Sequence, residues 1–118
     1  MPSRLAHSLR SYRKRSGLSQ REAGFLLGVK HNGKISRYEN RRRVPSLRAA
    51  LAYAMILDVP LAKLFPHLQH EVQTETAERI LELQAKLKKT QVRKRGSRRA
   101  KHMIEWLKQR HAAITATN

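Results

Sequence analysis

A run of hydrogen-bond donors crowds residues 30–43: Lys30, His31, Asn32, Lys34 and Arg37, then Asn40, Arg41, Arg42 and Arg43. Upstream, Gln20 and Arg21 add an amide and a further guanidinium. Cations of this kind hold phosphate oxygens, and arginine, lysine and asparagine also match the hydrogen-bonding pattern of purine edges. Gly33 lies inside the run and would let backbone approach a phosphate closely. No nucleophile and base are legible as a pair, and no glycine-rich phosphate loop is present, so catalysis is not expected. His67, His70 and Glu71 have the spacing of metal ligands, but a fourth ligand is not evident. A solvated linker is expected there, and no metal or cofactor.

The overall charge points the same way. There are 26 Lys and Arg against 8 Asp and Glu, a net +18. Residues 1–66 hold 14 basic and 3 acidic side chains, and residues 67–118 hold 12 and 5, so the excess is not one tail. A compact body so charged repels itself and calls for a polyanionic partner, of which nucleic acid is the common one. An anionic membrane surface is disfavoured, because the cations are not confined to one face of an apolar helix. No apolar run approaches the roughly 20 residues that span a bilayer, and the first residues lack the apolar stretch of a secretory signal. The absence of cysteine is consistent with a reducing compartment. A cytoplasmic, nucleoid-associated protein is expected.

The elements that must position these groups read as helices throughout, an all-α fold. The first runs over residues 3–15, capped by Ser3, with Leu5, Leu9 and Tyr12 at helical spacing, and Gly17 ends it. Ser19-Gln20-Arg21-Glu22 is a capping box opening the second helix, whose buried face is Ala23, Leu26 and Leu27 and whose stop is Gly28. Asn32 is placed to cap a third helix, with Ile35 and Tyr38 inward and Asn32-Gly33 acting as a turn. A fourth begins at Pro45-Ser46, with Leu47, Leu51, Ala54 and Leu57 inward. A short fifth spans residues 61–65, and Pro66 is expected to stop it.

Five short helices with a tight glycine turn between the second and third form a helix-turn-helix plan. Residues 3–66 resemble the Cro/phage-repressor type of helix-turn-helix, the XRE family. The matching pieces are GLSQREA at 17–23, LLGV at 26–29, ISRYEN at 35–40, VPSL at 44–47 and LDVPLAKLF at 57–65. The resemblance implies roles. Gln20 opens the second helix as the glutamine at the groove edge, and helix three is the recognition helix, with Lys34 and Arg37 outward. Asn40 and the arginines after it match the loop that grips phosphate. Arg13 and Glu39 match a partly buried ion pair between helices one and three.

Three departures matter. Six residues, not the family's usual five, separate Gly28 from Ile35, which implies a later start for helix three and a small basic loop before it. Arg41 stands where the family often has glycine, and Pro60 where a capping serine or threonine is common.

Residues 67–118 read as a basic helical extension of two helices broken at Gly96-Ser97. The stripe Ile80, Leu83, Leu87 lies on the first, and Met103, Trp106, Leu107 and Ile114 on the second. Between Lys86 and Lys101 there are nine cations and no anion. The expectation is a DNA-binding domain at 1–66 and an extension at 67–118 that dimerises or binds nucleic acid. The expected function is that of a prokaryotic or phage transcriptional regulator, a repressor that binds double-stranded DNA as a homodimer. Two alternatives remain: an antitoxin-like autoregulator that binds a protein partner through residues 71–114, and a sequence-neutral nucleic-acid-binding protein.

Overall fold

The computed structural model describes residues 9–30, 32–93 and 97–116, without the side chains of Asn32 and Arg93. The expected cap at Ser3, the start of the first helix, His31 and the break at Gly96 lie outside the described residues. All described elements are helices, and the chain divides into two compact units, residues 1–69 and 70–118. The first unit holds α1 (Leu9–Ser16), α2 (Gln20–Leu27), α3 (Asn32–Glu39), α4 (Leu47–Leu57) and α5 (Leu61–Leu64). The second is built from α6 (Pro66–Arg93), whose first four residues still belong to the first unit, and α7 (Arg98–Ala116).

Local chemistry sets most of these boundaries. Ser19 Oγ accepts from the Glu22 amide at 3.0 Å and the Glu22 carboxylate accepts from the Ser19 amide at 2.9 Å, which completes the capping box. Those hydrogen bonds hold the Glu22 carboxyl below the usual carboxylate range. Gly28, at φ +73°, ends α2: its amide bonds back to Phe25 and that of Val29 to Gly24. Ser46 caps α4 by accepting from the Ala49 amide at 3.2 Å. Pro66 does not stop α5 but opens α6. Proline fits the first position of a helix, where no amide is needed.

The core of the first unit is Leu9, Ile35, Tyr38, Ala49, Tyr53 and Leu64, flanked by Tyr12, Leu27, Val29, Leu57 and Phe65. Tyr53 stands edge-on to both Tyr38 and Phe65, with ring centroids 6.3 and 6.2 Å apart. Two expected faces are corrected. On α4 the inward residues are Ala49 and Tyr53, with Ala54 and Leu57 partly buried, while Leu47 and Leu51 are 72% and 47% exposed. The helix is apolar nearly all round, so periodicity alone does not say which side faces the core. On α2 the buried pair is Ala23 and Gly24, while Leu26 is exposed and Leu27 only partly buried.

The second unit is an antiparallel helical hairpin. Gln84 Nε2 donates to the Ile104 carbonyl at 3.2 Å, and Gln73 Nε2 donates to the Ile114 carbonyl. Ala77, Ile80 and Gln84 on α6 and Ala100 and Leu107 on α7 are buried. The expected stripes shift accordingly. Leu83 and Trp106 are exposed, and a glutamine takes an inward position because its amide finds a carbonyl across the seam. Among the described residues, no helix is long and apolar enough to cross a membrane.

Tyr53 is 1% exposed, and among the described residues its hydroxyl has no hydrogen-bond partner. Burial, and next the nearby Glu39 carboxylate, raise its pKa well above the usual phenol value. Removing an unpaired buried hydroxyl removes its desolvation cost. Tyr53→Phe should therefore stabilise the domain by about 1 kcal/mol in urea denaturation. A loss of similar size would show the hydroxyl to be satisfied in solution.

Candidate nucleic-acid interface

α3 is held in place by one buried carboxylate. Glu39, 4% exposed, accepts from Arg13 Nε at Oε2 and from Arg13 Nη2 at Oε1, 3.1 Å away. Arg13 is itself 7% exposed, and its Nη1 donates to the Leu18 carbonyl at 2.8 Å. Gln20 Nε2 completes the set by donating to Glu39 Oε1 at 3.1 Å. The end of α3 is thereby tied to α1, to the turn after α1 and to the first residue of α2. A forked guanidinium on a carboxylate is directional as well as strong, so it sets the angle of α3 as much as its position. Gln20, which the family resemblance puts at the groove edge, has its amide nitrogen engaged in this network.

The start of α3 differs from expectation. The helix already includes Asn32, and Gly33 sits in its first turn without a positive φ. Asn32 is therefore the first helical residue rather than a cap outside the helix, and Asn32-Gly33 does not form a left-handed turn. Lys30 is exposed and Lys34 half-buried. Both line a shallow groove with Gly28, Tyr38, Ser46 and Arg48. Arg48 was not singled out from the sequence; it lies on α4, fourteen positions after Lys34, and only packing brings it there. Its one sequence signal is that it is the single charge in LRAALAYAMIL. Arg37, one turn beyond Lys34, is exposed, as is Arg21 on α2.

After α3 the chain turns through Asn40 to Arg43, all exposed. Asn40 Nδ2 donates to Ser36 Oγ at 3.3 Å. The Arg41 amide bonds to the Tyr38 carbonyl at 3.2 Å, and the Arg42 and Arg43 amides share the Arg37 carbonyl at 2.8 and 3.3 Å. This is a Schellman ending, and its left-handed position is filled by Arg41 at φ +59°. An arginine there accepts backbone strain that glycine would avoid, in exchange for a third guanidinium in the loop. Among the described residues no group of three or more His, Cys, Asp or Glu is placed to hold a metal ion.

Two stability outcomes follow. Glu39→Ala leaves Arg13 buried without its partner and should cost about 3–5 kcal/mol. Arg13→Met with Glu39→Ala should cost less than the two single losses added together, by about 1 kcal/mol or more, in thermal melts. Additive losses would show the pair to be uncoupled. Arg41→Gly should raise stability by up to about 1 kcal/mol in the same assay, since glycine takes positive φ freely. A fall in stability would mean that the loop holds the arginine side chain by contacts worth more than the strain.

The geometry fits what sequence comparison finds. The family model described as a helix-turn-helix domain matches residues 4–65, slightly more than half of the chain. No curated protein and no solved structure matches at the level of significance required. The matched span runs from before α1 to the end of α5 and contains the whole Arg13–Glu39 network, both turns around α3 and the groove at its start. This chain belongs to the helix-turn-helix domain family, a domain that marks a DNA-binding regulator at a coarse level.

Proposed function

We propose that the protein is a sequence-specific transcriptional regulator of prokaryotic or phage type. It is a repressor that acts by occupying its site, with α3 in the major groove of double-stranded DNA. The observation that supports this best is the placement of cations around α3. Lys30, Lys34 and Arg48 share one groove at its start, Arg37 is exposed on the helix, and Arg41, Arg42 and Arg43 are exposed just past its end. Base edges are then reached from the helix, and phosphates from both flanking turns. No catalysis, metal or cofactor is required.

The active form is a homodimer in the cytoplasm, on the nucleoid. One eight-residue helix reads few bases, and two half-sites a helical turn apart multiply the specificity. The side of α4 opposite Tyr53 supports self-association: Leu47, Leu51 and Met55 recur at i, i+4 and i+8, with Met55 80% exposed.

Selection from random duplexes at near-physiological salt, followed by two variants, tests the assignment. Arg37→Ala should relax the preference at one or two positions of each half-site, by about 1–3 kcal/mol. Lys30→Ala should weaken all duplexes about equally and lower the salt slope by about one. A wild-type protein that binds selected and scrambled duplexes equally would overturn the sequence-specific assignment in favour of a sequence-neutral binder.

A further inference from the structure

The hairpin sorts its charge along its length. The bond from Gln84 to the Ile104 carbonyl marks a level across both helices. Between those two residues the chain carries nine cations and no acid, whereas all five acidic residues of the unit lie on the other side of that level. The two described arms of that tract are thus brought side by side, and two helices present their cations at one end of the hairpin. Lys86, Lys88 and Lys89 on α6 and Arg98, Arg99 and Lys101 on α7 are all exposed, and none has an ion-pair partner among the described residues. At 1.5 Å per residue, these six side chains arise from a cap roughly 10 Å deep.

Helix stability does not explain this arrangement. Cations toward the C-terminal end of α6 suit its dipole, but Arg98 and Arg99 occupy the N-terminal turn of α7, where positive charge is unfavourable and no acid offsets it. Lys86 and Lys89 are like charges one turn apart, as are Arg98 and Lys101, and such pairs weaken a helix. A polyanion bound at this end would relieve each of these terms. No Phe, Tyr or Trp lies between Gln84 and Ile104, and His102 is the one aromatic ring there, so the row of stacking platforms on which single-strand recognition rests is missing. Phosphate oxygens remain as the target, and duplex DNA is already brought to the same chain by the helix-turn-helix unit.

We propose that this end of the hairpin is a second DNA-binding surface, which grips duplex phosphates without reading sequence. It rests on the proposed DNA-binding function. Two attachments on one chain raise the effective concentration of the second once the first is made. The hairpin therefore adds affinity and salt sensitivity, and the helix-turn-helix unit supplies the discrimination.

The test is a salt titration of the full chain against the selected duplex and a scrambled duplex of equal length. One variant changes all six residues to glutamine. A second keeps the charge, with Lys86→Arg, Lys88→Arg, Lys89→Arg, Arg98→Lys, Arg99→Lys and Lys101→Arg. The glutamine variant should lose about three to five from the log–log salt slope, at about 0.9 for each phosphate released. Its ratio of selected to scrambled affinity should stay within about threefold of wild type, and the charge-keeping variant should retain the wild-type slope. An unchanged slope in the glutamine variant overturns the proposal. So does an equal fall in both variants, which would trace the effect to structure rather than charge. A loss confined to an RNA duplex of the same sequence, with the DNA slope intact, also overturns it and assigns the tip to RNA. If wild type shows no preference for the selected duplex, the sequence-specific function falls while the slope comparison still decides the tip.

Discussion

The geometry of the first unit hangs on the Glu39 carboxylate. It sits at the last residue of α3 and takes hydrogen bonds from Arg13 on α1 and Gln20 at the start of α2. A buried carboxylate needs a partner, and a buried arginine needs one equally, so each stabilises the other only in one relative placement of the helices. Ile35 and Tyr38, one turn and one residue before Glu39, are buried as a consequence, and the opposite side of α3 is left for Arg37 and part of Lys34. In a chain of net +18, this is the one ion pair among the described residues, and it lies in the interior rather than on the surface.

The remaining cations are distributed with little regard for local stability. Arg41 takes a left-handed backbone conformation at the end of α3, where glycine would relax the strain. Arg98 and Arg99 sit at the wrong end of α7 for its dipole. Lys30, Lys34 and Arg48 converge on one groove without an acid among the residues that line it. The clustered cations repel one another and Arg98 and Arg99 oppose a helix dipole, terms that a polyanion would lower, whereas the cost at Arg41 is backbone strain. Strain and self-repulsion concentrated in this way belong to function more than to folding.

Much of this was legible in the sequence, because it rests on residues close together along the chain. The capping box at Ser19 and Glu22, the stop at Gly28, the cap at Ser46 and the all-helical class follow from local hydrogen-bonding and backbone preferences. The net charge and its spread over both halves need no fold at all. The pieces GLSQREA, ISRYEN and LDVPLAKLF carried the helix-turn-helix resemblance because their order and spacing are set by the same local rules.

Where one local signal serves two structures, packing decided. Pro66 is as well suited to begin a helix as to end one, and it begins α6. Asn32-Gly33 is turn chemistry in isolation, yet both residues are helical, since burying Ile35 and Tyr38 outweighs a glycine in the first turn. An apolar helix such as α4 offers several faces, and the choice of Ala49 and Tyr53 over Leu47 and Leu51 came from the fit against Tyr38 and Phe65. Arg48 joins Lys30 and Lys34, and Lys86 comes to the same end of the hairpin as Lys101, only because distant segments pack together. Composition and charge are properties of the chain, whereas a site made of residues far apart in sequence exists only once their helices have met.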